Sequence, residues 1–294
     1  MTTAVGENLT DEQLLQLFEP DPTQGDDTVA PTVPTFLDLT EDDDDRNLII
    51  NELDSFSGGL RALSGDDTVI GSSSSEVMNG NRGFDRLFGR GGNDTLRGGR
   101  DRDILFGEIN NDLLNGNLGD DFVSGGAGQD TLRGGQDDDI LVGGDRNDVL
   151  IGDYGTDYLI GNQGDDRFVL RTETGESLPQ LADWLIDFNP NDDRIGLTGN
   201  LSEDNLAFET ITLELEPRLT FIQSFTGEDI SNNTGINILT LDPDSDGNVS
   251  GTLIRNNDEN SDYFQTILGI VLNLNAIDLT GRFQTVSDSV LERG

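Results

Sequence analysis

The strongest constraint on this chain is a nine-residue period that runs unbroken through twelve units, from Ala62 to Val169. Each unit keeps an acid at its sixth position: Asp67, Glu76, Asp85, Asp94, Asp103, Asp112, Asp121, Asp130, Asp139, Asp148, Asp157 and Asp166. The eighth position is always apolar, running Val69, Met78, Leu87, Leu96, Leu105, Leu114, Val123, Leu132, Leu141, Leu150, Leu159 and Phe168. Glycine opens eleven of the twelve units. A short fixed period of this kind marks a solenoid, in which a unit buries its apolar side chain only by stacking on its neighbours.

A unit opened by Gly, with Gly or Asn common at the second position and Gly, Asp or Asn at the fourth, makes a tight turn that needs positive φ. Positions seven to nine are then a very short strand. Two units close one turn of a flattened helix, so the acids recur at a spacing of eighteen along each edge. Carboxylates stacked at the inter-strand spacing of about 4.8 Å repel one another unless cations lie between successive turns. One apolar side chain per unit does not offset the ordering of nine residues. The array is therefore expected to be loose or unfolded without metal and folded with it.

Composition narrows the metal. The 294 residues carry a formal charge of -41; every one of the 17 positive charges is arginine, and Lys, His and Cys are absent. Those absences exclude Ser-His and Cys-His catalysis, a Schiff-base lysine, disulfides and zinc held by nitrogen and sulfur. Oxygen ligands remain, the set that calcium selects. Charge of this sign argues against a nucleic-acid partner. No apolar run approaches the ~20 residues of a membrane span, so direct membrane insertion is not expected, and the N-terminus lacks the pattern of a cleaved signal peptide.

Runs such as Gly89-Arg-Gly-Gly-Asn-Asp-Thr-Leu-Arg97 and Gly125-Gly-Ala-Gly-Gln-Asp-Thr-Leu-Arg133 resemble the RTX (repeats-in-toxin) nonapeptide GGxGxDxUx, with U apolar, of haemolysin-type calcium-binding proteins. The resemblance covers 108 of the 294 residues. It implies an all-β chain, with a right-handed parallel β-roll of twelve repeats over 62–169 that binds multiple Ca2+ ions and a β-rich C-terminal capping domain over 170–294. It also implies a secreted or cell-surface protein, exported by a type I route and folding outside the cell. Carried over residue by residue, it assigns side-chain ligation to Asp67, Asp85, Asp94, Asp103, Asp112, Asp121, Asp130, Asp139, Asp148, Asp157 and Asp166, and more weakly to Glu76. Turn carbonyls of Gly89, Gly91, Gly98, Gly116, Gly125, Gly126, Gly134, Gly143 and Gly152 would complete the sites.

Departures from the pattern grade the sites. Unit 71–79 loses its inner glycines to Ser72, Ser73 and Ser74 and carries the longer Glu76, so its site is expected to be weak or empty. Arg146 puts a cation at a fourth position, while Asp101 and Asp137, also fourth, either add a ligand or hold the turn. Asp67 and Asp166 are expected to lack a neighbouring coil and to bind incompletely.

The flanks differ in texture. Residues 1–61 hold 15 acids and two arginines with Pro20, Pro22, Pro31 and Pro34, the composition of an acidic, largely flexible segment; the acidic block from Glu41 to Asp45 belongs to it. Within it, Thr10 and Gln13 ahead of Leu14, Leu15, Leu17 and Phe18 predict a short helix, and Leu48 to Leu60 predict an N-terminal cap. Beyond Val169, short apolar runs at 184–188, 206–213, 219–225, 236–241 and 264–272 predict strands. Trp184 to Leu197 resembles the stretch that follows the repeats in secreted RTX proteins, serralysin-type peptidases among them. Their HExxH zinc motif cannot be formed here without His. Asp242, Asp244 and Asp246 with Gly247 open an EF-hand-like loop, but Leu253 stands where a bidentate Glu is needed. That loop is either a modest calcium site or an acidic turn.

Positions seven and nine face outward, and sorting them by alternate units separates two faces. Odd units are apolar at nine of twelve such positions, from Thr68 to Ile160, and even units at only five of twelve. An apolar face of that length is seldom left in water; it is expected to be covered by the chain's own flanks, by a second copy through self-association, or by a surface or matrix partner. The reading that absorbs most of the sequence is a calcium-folded structural or adhesive scaffold with no catalytic residues. The alternatives are a carbohydrate-binding module, favoured by a groove of Arg82, Arg100 and Arg102 with Tyr or Trp, and an enzyme with a carboxylate site in 170–294.

Overall fold

The computed structural model describes residues 36–40, 42–47, 59–171, 182–198, 201–214, 248–259 and 265–286, all within one compact unit, Thr35–Gly294. The predicted helix at 10–18, most of the 48–60 cap, the strands at 219–225 and 236–241, and Asp242, Asp244 and Asp246 lie outside the described residues.

The first strands are β1 (Phe36–Asp38), β2 (Asp45–Asn47) and β3 (Gly59–Arg61). From β4 (Thr68–Ile70) onward each repeat supplies one strand: β5 (Val77–Arg82), β6 (Arg86–Phe88), β7 (Thr95–Arg100), β8 (Ile104–Ile109) and β9 (Leu113–Leu118). The series continues with β10 (Phe122–Ala127), β11 (Thr131–Gln136), β12 (Ile140–Asp145), β13 (Val149–Tyr154), β14 (Tyr158–Gln163) and β15 (Arg167–Leu170). Then follow β16 (Trp184–Leu185), β17 (Arg194–Leu197), β18 (Leu206–Glu214), β19 (Asn248–Asn256), β20 (Ile267–Leu272), a one-turn helix α1 (Ala276–Leu279) and β21 (Phe283–Thr285).

Even repeats build a ten-stranded sheet, β1-β3-β5-β7-β9-β11-β13-β15-β17-β21, and odd repeats an eleven-stranded one that runs from β2 to β16 and ends β20-β19-β18. Within the repeats all pairing is parallel with a shift of eighteen residues, as in Leu96↔Leu114 and Leu87↔Leu105. The result is a parallel β-solenoid of about six turns over 60–169. This register superposes every eighth-position side chain on its counterpart one turn away. All twelve are fully buried in one core cluster, which is why a column one residue wide suffices as a core.

Two features differ from the sequence-based expectation. Most repeat strands are six residues long rather than three, because the ladder continues through the opening glycines of the next unit. The acidic block ahead of Arg46, read as flexible linker, instead runs into strand β2, which pairs with β4. Both sheets also continue beyond Val169, since β15 pairs with β17 and β14 with β16.

From Ile104 onward the apolar outer face of the odd sheet is buried within the single chain, while Ile70 and Phe88 are half-buried. Phe106, Phe122, Ile140, Val142 and Tyr158 share a second core cluster with Trp184, Val249, Leu253 and Ile270. Phe88 stacks on Phe106 with ring centroids 5.3 Å apart, and Phe106 packs on Phe122 at 5.6 Å. Among the described residues no helix is long and apolar enough to cross a membrane.

Candidate metal sites in two acid columns

Stacking at eighteen residues turns the sixth-position acids into two columns, one along each edge of the solenoid. Each aspartate treats its two carboxylate oxygens differently. Oδ1 accepts the backbone N–H of the acid one turn earlier: Asp85 N–H donates to Asp103 Oδ1 at 2.9 Å, Asp103 to Asp121 at 2.7 Å, Asp121 to Asp139 at 2.8 Å and Asp139 to Asp157 at 2.9 Å. The even column repeats this from Asp94 to Asp112, Asp130, Asp148 and Asp166, at 2.7 to 2.9 Å. Oδ2 has no such partner. In Asp67, Asp85, Asp94, Asp103, Asp112, Asp121, Asp130, Asp139, Asp148, Asp157 and Asp166 it is buried without a hydrogen bond.

A buried, unpaired carboxylate oxygen is costly, and eleven in register demand a partner the protein does not itself supply. Burial first, and at all but Asp130 neighbouring acids after it, push the carboxyls up: Asp67 and Asp130 to about 6, Asp85, Asp112 and Asp166 to about 7, Asp94, Asp121 and Asp148 to about 8, and Asp103 to about 9. Asp139 and Asp157, the most enclosed, are raised well above the ordinary carboxylate range by burial and then by neighbouring acids of their column.

The opening glycines complete the geometry. An ideal Cβ at Gly116 would stand under 3.0 Å from both Asp121 Oδ2 and the Gly134 carbonyl oxygen. The same pair of oxygens, the unit's own Oδ2 and the carbonyl one turn on, flanks Gly89, Gly98, Gly125, Gly134 and Gly143, while Gly152 meets Asp157 Oδ2. Carboxylate and main-chain oxygen thus converge where only glycine fits. Gly91 and Gly126 stand further along their turns, at the third and second positions, and Gly126 takes φ +105°. Among the described residues no three acidic side chains gather on one point. A cation there would draw most of its six to eight oxygens from the backbone, a donor set that suits a hard ion.

Unit 71–79 is built differently. Glu76 is buried, but Ser72 N–H donates to its Oε2 at 3.1 Å and the Ser72 hydroxyl to its Oε1, so neither oxygen is left for a cation. Position two takes positive φ in every other repeat, as at Asn81 and Glu108, and position four in every other repeat but that of Gly128, as at Gly83 and Asn110, whereas Ser72 and Ser74 do not. Restoring the pattern with Ser72→Gly, Ser74→Gly and Glu76→Asp should add one bound ion per chain, counted by native mass spectrometry. An unchanged count would show that the defect lies elsewhere.

The fourth-position exceptions hold turns. Asp101, Asp137 and Arg146 take φ of 75°, 77° and 82°, conformations that Asp reaches more readily than Arg. Their carbonyls come under 3.0 Å from where a Cβ of Gly119, Gly155 and Gly164 would lie.

Three column members escape the repeat pattern. Asp44 N–H donates to Asp67 Oδ1 at 2.6 Å, Asp157 N–H to Asp183 Oδ1 at 3.3 Å and Asp166 N–H to Asp193 Oδ1 at 2.9 Å. Asp67 and Asp166 therefore do have neighbouring coils, contrary to the sequence expectation, because spacings of 23 and 27 residues replace eighteen. The sequence signal for the C-terminal pair was the triplet of acid, any residue, apolar residue in Asp183-Trp184-Leu185 and Asp193-Arg194-Ile195, without its glycine. Two of these ends close on themselves. Thr40 donates N–H and hydroxyl to Asp44 Oδ2 at 2.9 and 2.7 Å, and Asn189 N–H donates to Asp193 Oδ2 at 2.7 Å. In both, as with Ser72 and Glu76, the donor precedes the acid by four residues.

A solenoid whose turns are bridged by orphaned carboxylate oxygens and main-chain carbonyls is a cation-binding β-roll. Comparison with known families identifies the repeat: the family model of the RTX calcium-binding nonapeptide repeat (4 copies) matches residues 60–87, 70–105, 99–132, 106–141 and 133–168. The stretch 60–168 belongs to that repeat family, and the chain binds Ca2+. No curated protein matches the chain.

Proposed function

We propose that the protein is a secreted or cell-surface scaffold whose roll is assembled by calcium, with the eleven orphaned Oδ2 atoms as its side-chain ligands. Those eleven oxygens carry the reading. None has a hydrogen-bond partner among the described residues, and eight of them, in the units from Asp85 to Asp148, share a glycine position with a backbone carbonyl of the next turn. Unequal burial along the columns grades the sites, with Asp139 and Asp157, toward the C-terminal end of the odd column, depending most on the ion.

Support for a non-catalytic role comes from the chemistry the chain lacks. Without His, Lys or Cys, its buried acids are spent in two ladders rather than paired across a cleft. The apolar odd face, being buried within one chain from Ile104 onward, leaves a scaffold partner to use other surfaces. Counting bound calcium by equilibrium dialysis, with sizing chromatography on the same samples, tests the reading. About one ion per orphaned oxygen is expected. Binding of only one or two ions would overturn it, and a calcium-dependent rise in mass would add self-assembly to it.

A further inference from the structure

The outer face of the even sheet carries a polar cleft of about 600 Å3 that the calcium columns do not use. Its floor follows the strand register. Ninth positions run Asn79, Arg97, Asn115, Arg133 across β5, β7, β9 and β11, and between Asn81 and Asn117 the second-position row drops to a bare Gly99. Missing side chains at alternate strands give the cleft its depth. The two arginines of the row, two strands apart, repeat at about 9.6 Å, the scale of two pyranose rings in an extended chain.

Three observations define what the cleft would take. Asn115 is 8% exposed, yet its Oδ1 is buried with no hydrogen-bond partner, an acceptor awaiting a donor. Neither Arg97 nor Arg100 has an ion-pair partner among the described residues. Arg133 shares Asp153 with Arg171, whose NH1 lies 2.5 Å from Asp153 Oδ1. Tyr154 stands in the lining, 51% exposed. In a chain of net charge -41, a local positive cleft selects an anion, while the orphaned acceptor selects a hydroxyl and the aromatic rim a ring.

We infer that this cleft binds an acidic polysaccharide. The sugar chain lies across the strands with carboxylates on Arg97, Arg100 and Arg133, a hydroxyl donating to Asn115 Oδ1 and a pyranose face on Tyr154. A protein partner would want an apolar anchor that the cleft lacks. A nucleic acid would meet the acidic surface beyond the cleft, where its closely spaced phosphates are repelled. Of the groove anticipated from sequence, Arg100 lies in the cleft, but its companions are Arg97 and Arg133 rather than Arg82 and Arg102.

The inference rests on the roll being folded, so binding is measured at saturating calcium, with circular dichroism reporting strand content on the same samples. The probe is a short, soluble oligogalacturonate, titrated calorimetrically beside a neutral cello-oligosaccharide of the same length and a single-stranded DNA. The expected result is binding of the acidic sugar alone, weakening with salt. Arg97→Gln with Arg100→Gln should raise the Kd at least about tenfold, while Arg86→Gln on the opposite sheet leaves it unchanged. Equal binding of the neutral sugar or DNA, or an Arg97→Gln/Arg100→Gln chain that binds as before, overturns the proposal. So does a chain with full strand signal and no binding. Loss of strand signal at saturating calcium would instead mark failure of the calcium reading.

Discussion

Chelating calcium at pH 8 should abolish most of the strand signal in circular dichroism and expand the chain on a sizing column; acidifying the chelated protein should then recover part of it. The first half follows from the column geometry. Without a cation, each Oδ2 stays buried and unpaired beside its neighbours on a chain already carrying -41, and a unit that buries one apolar side chain has little to set against that.

The second half follows from linkage. An unfolded Asp titrates near 3.9, whereas in the metal-free roll burial raises these carboxyls to between about 6, at Asp67 and Asp130, and about 9, at Asp103. A folded pKa raised above the unfolded one means that the folded state holds more protons. Its contribution to stability is complete below about pH 4 and is lost as pH rises through 6 to 9. Protons therefore stand in for calcium at low pH and compete with it at neutral pH. With calcium bound the carboxyls are ionised, as they already are in the unfolded chain above about pH 6, so the calcium concentration at half-folding should stay level or rise, and not fall, as pH goes from 6 to 9 and the protonated metal-free roll is lost. A calcium midpoint that fell as pH rose across that range would mean that the unfolded chain holds protons the roll does not, and would contradict this linkage.

Gly116→Ala should raise the calcium midpoint at least about tenfold, equivalent to ~1.4 kcal/mol, whereas Gly91→Ala should be close to neutral. Both glycines lie in repeat turns, but their surroundings differ. A Cβ on Gly116 enters the space shared by Asp121 Oδ2 and the Gly134 carbonyl, under 3.0 Å from each; one on Gly91 has Ser73 Cα as its nearest neighbour, at 3.7 Å. Overpacking of a rigid site costs on the order of 1 to 3 kcal/mol, and here it displaces a ligand oxygen as well. The pair is read by calcium titration in circular dichroism. Equal behaviour of the two variants would mean that glycine serves the turn alone.

Much of this architecture was legible because the repeat writes three-dimensional neighbours at a constant separation. Asp103 and Asp121 are eighteen residues apart in sequence and adjacent in the column for the same reason. Ser72 and Glu76 were visible as a broken unit, although the cause, a hydroxyl and amide satisfying the carboxylate, is a contact that composition does not spell out. Asp44, Asp183 and Asp193 were missed because inserted residues lengthen their spacing to 23, 26 and 27 while leaving the stacking intact. The cleft was half visible. Alternation of Asn and Arg at ninth positions is plain in the sequence, but the orphaned Asn115 Oδ1 and the Arg133–Asp153–Arg171 bridge depend on which side chains turn toward one another.

The acids closed by a donor four residues earlier, Asp44, Glu76 and Asp193, sit at column ends among the described residues. Closure there needs no ion and no knowledge of how many turns lie between. Length is thus a free variable of this design: removing or duplicating eighteen residues from the middle changes the metal load and the reach of the molecule while both terminal fittings stay the same. A chain built this way can be retuned as a spacer in whole-turn steps, with calcium setting its rigidity and gene length setting its span.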